Sequence, residues 1–186
     1  MDRGLAGKKK RRGVMNSIFT AALPFGFPNS PGTVLLTLYK QLLWCGAKPN
    51  CVTLSLVLKA CPDLEALGLV MGVHAQSLAL GFRSETLVLN SLIHAYTACG
   101  SIGSANGVFD ELPDRDRIAW TRLINGYVRS GRAREAVDLF LGMMEANVRP
   151  DEVSIVAACT SCSQLSPAPS PLVLVWVLFA RGGKYT

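Results

Sequence analysis

The chain has 186 residues, of which 49% are hydrophobic and 17% charged, and its formal net charge is +6. This length and hydrophobic content are ordinary for one packed domain. Residues 1–12 hold six basic side chains and one acidic side chain, so the other 174 residues carry only +1. The high pI therefore comes from a short tail, which excludes a generally basic body and makes pI weak evidence for nucleic-acid binding.

Residues 1–15 are predicted to be a solvated, disordered N-terminus. The alternative for the basic run KKKRR at 8–12 is a targeting or phosphate-binding role. Residues 1–30 lack the continuous apolar stretch of a secretory signal. The segment is also short of serine, which makes it a poor transit peptide, so an organelle cannot be assigned from it.

Similar short segments recur along the chain and divide it into units. They read GAKPN at 46–50, GFRSE at 81–85, LPDRD at 112–116 and NVRPD at 147–151. Proline disfavours helix in the residue before it, so these segments are predicted to be boundaries. The predicted units are 16–50, 51–85, 86–116 and 117–151, followed by one first helix at 152–166. Pro24 and Pro28 are expected to shorten or fray the first helix of the first unit.

Two 18-residue stretches show what one unit contains. LIHAYTACGSIGSANGVF at 92–109 and LINGYVRSGRAREAVDLF at 123–140 align with a shift of 31 residues. Apolar residues follow helical spacing in both, and Gly100 and Gly131 stand where a first helix must end. Each unit is therefore predicted to be an antiparallel helix–turn–helix. The fold class is predicted to be all-α, an α-solenoid of stacked hairpins.

The C-terminal part departs from this pattern. SPAPSP at 166–171 stands where a turn and a second helix are expected, so 167–186 is interpreted as an atypical tail. Its apolar run LVLVWVLFA at 172–180 has nine residues, whereas a membrane-spanning helix needs about 20. No membrane partner is expected.

Six cysteines occur without a secretory signal. They are predicted to be reduced, buried, small side chains. Cys159 and Cys162 form a lone C-x-x-C with no second pair and no histidine at zinc spacing. No metal and no cofactor are expected.

The units resemble pentatricopeptide repeats (PPR) over about residues 16–166. NSLIHAYTACGSIGSANGVFDELPDRD resembles the short type and WTRLINGYVRSGRAREAVDLFLGMMEANVRPDE the standard type. TLSLVLKACPDLEALGLVMGVHAQSLALGF resembles the long type, and unit 16–50 a degenerate standard type. This mixture is similar to the plant PLS-type subclass.

Members of that subclass often end in a DYW-type deaminase domain, and this chain is expected to be without one. Such a deaminase needs His-x-Glu and Pro-Cys-x-x-Cys around zinc. Here Ala75-Gln76 follows His74, Ala95-Tyr96 follows His94, and Ala158 precedes Cys159. The chain therefore looks like a truncated member and is not expected to be an enzyme.

The resemblance implies that two positions of each unit select one RNA base, namely its fifth residue and its last residue. These pairs are Thr20 with Asn50, Ser55 with Glu85, Asn90 with Asp116, and Thr121 with Asp151. By similarity to the family's code, the first, third and fourth pairs prefer adenine, uracil and guanine. The code is unreliable for the second, long-type unit. The resemblance implies that the N-terminus of the chain lies toward the 5′ end of the RNA. The hypothesis for the RNA sequence bound by the four units is therefore 5′-A-N-U-G-3′. The alternative for Asp116 and Asp151 is helix capping alone.

Val52, Leu87 and Ile118, at the second position of their units, are expected to pack against base faces. Inter-repeat core is the equally weighted alternative. Trp120 and Met143–Met144 are predicted to be core. His74 is predicted to be a hydrogen-bonded core residue and His94 a surface residue. Arg129, Arg132 and Arg134 are interpreted as a solvated turn, with phosphate contact as the alternative.

The leading hypothesis is a non-catalytic, sequence-selective adaptor that binds single-stranded organellar RNA in editing or another maturation step. An editing deaminase or another RNA-processing factor would be supplied in trans, and the chain is expected to be a monomer. Mitochondrion or chloroplast is implied only by the resemblance. The alternatives are a protein-binding solenoid of the tetratricopeptide type and a truncated, non-functional fragment.

Overall fold

The structure, a computed structural model, describes residues 31–61 and 67–165 of the chain. These residues form eight α-helices and no strand. The helices are α1 Pro31–Trp44, α2 Cys51–Ala60, α3 Leu67–Ala79, α4 Thr86–Ala98, α5 Ile102–Asp110, α6 Arg117–Arg129, α7 Ala133–Glu145 and α8 Glu152–Gln164. Thr20, the helix expected near Pro24 and Pro28, and the tail at 167–186 lie outside the described residues.

The turns between paired helices are built around glycine. The backbone of Gly100, after α4, has a φ of +76°, and that of Gly131, after α6, has a φ of +70°. The amide of Gly100 donates to the carbonyl of Thr97, and that of Ser101 to the carbonyl of Tyr96. These two bonds form a Schellman motif, which needs a left-handed residue that glycine adopts at little cost. The glycine stops predicted from the sequence are thus present.

Polar side chains cap three of the four first helices α2, α4, α6 and α8. The side chains of Asn50, Asp116 and Asp151 accept from a backbone amide in the first turn of α2, α6 and α8, respectively. Each side chain satisfies a donor that has no partner within its helix. The helices therefore begin one residue after the polar position that ends each predicted unit.

The helices stack in two rows. The first helices α2, α4, α6 and α8 pack side by side, each against the next. The second helices α3, α5 and α7 each contact the first helix before them and the first helix after them. The largest fully buried side chains, among them Leu92, Ile93, Leu123, Ile124 and Phe140, lie in one continuous core along these rows. The predicted all-α solenoid of antiparallel hairpins is confirmed.

Two neighbouring first helices approach closely at Gly126 of α6. A Cβ atom added at Gly126 would lie 2.5 Å from Thr97 Cγ2 and 2.8 Å from Thr97 Cβ. A different rotamer of Thr97 would leave its Cβ in place, so α4 and α6 can approach this closely only because residue 126 has no side chain. This contact sets the spacing between the third and fourth units.

Several single-residue predictions are settled by burial. Trp120 and Met143–Met144 are buried, and Trp120 packs edge-to-face on Phe109 with ring centroids 4.7 Å apart, so their core assignment is confirmed. The prediction that all cysteines are buried is wrong. Cys45 is exposed because it lies in the turn after α1, and Cys51, Cys99 and Cys159 are half-buried.

Two further findings concern the described residues alone. None of their helices combines the length and apolar character required to span a bilayer. Their His, Cys, Asp and Glu side chains form no group of three or more that could hold a metal ion.

The Gly126 contact yields a stability prediction. Gly126→Ala should lower the free energy of unfolding by about 1–3 kcal/mol, because the new methyl group overpacks the α4–α6 interface. Gly142→Ala is the matched control, since its Cβ would meet Trp120 at an ordinary 3.5 Å. It should be neutral or stabilising by up to about 1 kcal/mol through helix propensity. Urea unfolding followed by circular dichroism measures both, and equal effects of the two substitutions would contradict the close approach.

Candidate nucleic-acid interface

The row of first helices brings equivalent side chains into line. Ser55 on α2, Asn90 on α4 and Thr121 on α6 are the fifth residues of their helices, and all three are buried polar residues. Because α2, α4 and α6 pack side by side, these side chains follow one another along one face of the row. The spacing of the first helices thus produces a repeated polar position.

The third unit has a fully formed pair. Asn90 Nδ2 donates to Asp116 Oδ2 over 2.9 Å, and Asp116 Oδ1 accepts from the backbone amide of Ala119 over 2.8 Å. One carboxylate therefore caps α6 and holds Asn90. The alternatives in the sequence were base recognition and capping alone. The structure shows the cap, and base recognition stays a prediction. Asn90 Oδ1 is buried and has no hydrogen-bond partner among the described residues.

The fourth unit repeats this arrangement with a threonine. Thr121 Oγ1 donates to Asp151 Oδ1 over 3.3 Å, and the backbone amide of Ser154 donates to the same oxygen over 2.8 Å. Burial raises the pKa of Asp151, but hydrogen bonds from Ser154 and Thr121 and the charge of Arg117 outweigh it and lower the pKa overall. Asp151 is therefore an ionised acceptor at neutral pH.

The second unit does not form the corresponding pair. Ser55 Oγ lies 2.8 Å from Ser91 Oγ, within the buried interface of α2 and α4, and Ser91 Oγ donates to the carbonyl of Leu87. Glu85 is exposed and makes no side-chain cap hydrogen bond. The short serine side chain finds a partner on the neighbouring first helix, so the structure does not bring Ser55 and Glu85 together.

The first unit is described on one side only. Asn50 is exposed, and its Oδ1 accepts from the backbone amide and the hydroxyl of Thr53, both over 2.8 Å. Its predicted partner Thr20 lies outside the described residues.

The second positions of the units form an exposed apolar row. Val52, Leu87 and Ile118 are 41%, 46% and 50% exposed, so the inter-repeat core alternative is wrong for them. Val153, at the second position of α8, is 55% exposed and extends the row. Sequence reasoning missed Val153, although the same counting from the helix start identifies it.

Basic groups gather beside the polar positions. His94 lies one turn after Asn90 on α4, and its Nδ1 is buried without a partner in the part of the chain that the structure describes. Burial lowers the pKa of His94, and the charges of Arg122, Arg129 and Lys59 lower it further. The prediction that His94 is a surface residue is wrong, since it is half-buried among three cations from the neighbouring first helices. The net charge of +1 outside residues 1–12 does not reveal this local positive charge around His94.

The other predicted side chains have structural roles. His74 Nδ1 lies 3.0 Å from the hydroxyl of Tyr96, as predicted for a hydrogen-bonded core histidine, although His74 is only half-buried. Arg129, Arg132 and Arg134 are exposed, and Arg132 pairs with Glu135 over 2.8 Å, which fits a solvated turn.

Comparisons with known proteins agree with this geometry. Residues 115–157 match the model of the PPR repeat family, and residues 88–116 match the model of the PPR repeat. The chain carries pentatricopeptide repeats. The two matched regions contain both formed pairs, from Asn90 to Asp151.

Plant proteins and one solved structure are similar to the chain. A mitochondrial pentatricopeptide repeat-containing protein of Arabidopsis thaliana is 36% identical over 150 residues, 81% of this chain and 19% of that protein. A chloroplastic one from the same organism is 34% identical over 131 residues, 70% of this chain and 15% of that protein. The chain thus spans less than a fifth of the length of these two relatives. The crystal structure of the pentatricopeptide repeat protein PPR10 from maize superposes with a TM-score of 0.57 at 19% identity, covering 94% of this chain and 24% of that one, and shares its fold.

The two perturbed histidines yield a pH prediction. The pKa values of His74 and His94 lie below the ordinary 6.5 in the folded protein, mainly because of burial. The unfolded chain therefore binds more protons as the pH falls. The stability contributed by neutral histidines is present above pH about 6.5 and is lost as the pH falls through the folded pKa values.

Urea unfolding at pH 7.5 and pH 5.0 checks this. The wild type should have a lower midpoint at pH 5.0, and His94→Gln should reduce the difference between the two midpoints. Equal pH sensitivity of the variant and the wild type would show that His94 carries no such linkage.

Proposed function

We propose that this protein is a non-catalytic, sequence-selective adaptor for single-stranded RNA. The observation that carries the proposal is the pair of hydrogen bonds Asn90–Asp116 and Thr121–Asp151 on adjacent first helices. Each joins the fifth residue of one unit to the last residue of the same unit, which the resemblance implies is a base-selecting pair. A regular stack of such pairs can read one unstacked base per repeat.

The free hydrogen-bonding atoms of the third unit fit uracil. A carboxylate only accepts, so the amino group of Asn90 must face Asp116 and its carbonyl oxygen is left unpaired. That orphaned acceptor needs an N–H donor, and uracil offers one at N3. Cytosine carries no hydrogen at N3. A buried acceptor left unpaired costs about 1–3 kcal/mol, which a matching base would relieve.

The fourth unit fits guanine. Its ionised Asp151 accepts only, and the Thr121 hydroxyl already donates to it. Guanine presents two neighbouring donors, the N1–H and the exocyclic amino group, to such an acceptor. With the N-terminus toward the 5′ end, the two formed pairs read 5′-U-G-3′ within the hypothesis 5′-A-N-U-G-3′.

The exposed apolar row supports stacked bases. Leu87 and Ile118 each lie three residues before the base-selecting residue of the same helix. Leu87, Ile118 and Val153 are 46%, 50% and 55% exposed. An exposed aliphatic side chain loses water when a base face covers it. The row would therefore hold bases apart and in register.

The affinity of the isolated chain is expected to be weak. Two formed pairs, at about 1–3 kcal/mol of stacking per base, give little binding after the RNA is ordered. Filter binding to a matched RNA at ~150 mM salt should give a Kd no tighter than the micromolar range. Nanomolar binding would show that each base contributes more binding free energy than is assumed here.

The proposed setting is an organelle. Relatives bear names that place them in mitochondria or in chloroplasts, and we assign this chain to RNA editing or another maturation step in one of these two. The mixture of short, long and standard units supports the PLS-type subclass. The chemical step would be performed by a deaminase or another processing factor in trans.

A reciprocal exchange at the fifth positions tests base selection. Asn90→Thr gives the third unit a Thr/Asp pair, so its preferred base should change from uracil to guanine. Thr121→Asn should change the fourth unit from guanine to uracil. Fluorescence anisotropy with RNAs that vary at one site measures both preferences, and Asp116 keeps its capping role in each variant. Unchanged preferences in both variants would refute the assignment of these positions.

A second experiment tests the apolar row. Ile118→Ser should weaken binding to the matched RNA by about fivefold to thirtyfold, within the range for one base stack. Leu78→Ser is the matched control, because Leu78 is 43% exposed but lies on a second helix, α3. Equal losses for the two variants would place the RNA elsewhere.

A further inference from the structure

The charged group of Arg122 lies at the third-unit pair, although Arg122 itself belongs to the fourth unit. Arg122 directly follows Thr121 on α6 and is half-buried. Its Nη1 donates to the main-chain carbonyl of Asn90 on the neighbouring first helix α4. The side chain of Arg122 therefore crosses from one unit to the preceding one and ends beside Asn90.

Most N–H donors of Arg122 have no partner among the described residues. Burial lowers its pKa, and the nearby carboxylate of Asp116 raises it, but a guanidinium stays charged at neutral pH. The ion pairs between described residues do not include Arg122. A guanidinium has five N–H donors, and one of them is used on Asn90.

Asn90, whose main-chain carbonyl binds this cation, also carries an unsatisfied side-chain acceptor. Asn90 is 6% exposed, and its Oδ1 has no partner within residues 31–61 and 67–165, because Nδ2 is the atom that binds Asp116. The third-unit site therefore combines one buried side-chain acceptor with a guanidinium that is held by the main chain of the same residue and interacts with Asp116. A base edge on which an N–H adjoins a carbonyl oxygen complements this arrangement.

We propose that Arg122 is a third specificity-determining residue of the third-unit site, donating to the carbonyl oxygen of a base whose ring N–H is bound by Asn90 Oδ1. Uracil presents N3–H beside O4. Cytosine presents an unprotonated N3 beside an amino group, so the guanidinium would face a donor instead of an acceptor. Arg122 thereby favours uracil over cytosine. This inference rests on the proposed function.

The experiment measures the affinity of the whole chain for two RNAs that differ only by uracil or cytosine at the third-unit position. The wild type should prefer uracil by about tenfold, as for one good base contact. Arg122→Gln keeps a donor for the Asn90 carbonyl but removes the charge, and should reduce the preference to below about threefold. Arg129→Gln, on the same helix and exposed, is the charge-matched control and should keep the wild-type preference.

Arg122→Lys is a second, more conservative variant. Circular dichroism and thermal melting show whether each variant folds. Arg122→Lys keeps the charge but not the fork of donors, so its preference should fall between those of the wild type and Arg122→Gln. An unchanged preference in both variants, or equal weakening for both RNAs, overturns the inference. A wild type that binds neither RNA refutes the proposed function instead.

Discussion

The close packing of successive first helices is the constraint on which the rest of the structure depends. At Gly126, α6 approaches Thr97 of α4 so closely that no Cβ atom fits between them. Because first helices contact each other directly, equivalent residues of successive units stay adjacent. The second helices fill the spaces behind this row and bury the apolar core. A wider spacing would separate Asn90 from the Arg122 side chain that reaches it from α6.

The same carboxylates that begin the helices also build the candidate site. Asp116 and Asp151 each satisfy a backbone amide at the start of a first helix and bind the fifth residue of the preceding first helix. The pair therefore needs no flexible loop to form it. A polar group that is already ordered loses little entropy when a ligand binds, which favours selectivity in a site with few contacts. Capping a helix and binding the fifth residue of a unit are thus two uses of one side chain.

Much of the fold could be predicted from the sequence, because local rules determine it. Helical spacing, glycine at Gly100 and Gly131, and polar caps fix where helices begin and end. The same counting places Asn90 and Thr121 at equivalent positions. Counting along the sequence does not show which residue a side chain binds across a helix–helix interface. Ser55 bonds to Ser91 instead of Glu85, and Arg122 reaches the preceding unit.

Burial also could not be predicted from position alone. His94 is polar and looks like a surface residue, yet the neighbouring first helices half-bury it among three cations. Cys45 is exposed because it falls in a turn, although cysteine is usually buried. The assignment of bases to units is of a different kind, since it comes from family resemblance and remains a prediction.

The most direct measurement of the central claim is a crystal structure of the chain with a short RNA containing 5′-UG-3′. The account predicts that the strand lies along the row of first helices, with the uracil edge at Asn90 and the guanine edge at Thr121 and Asp151. Ile118 should contact the face of a base. An RNA bound along the second helices, or bases pointing away from these side chains, would contradict it.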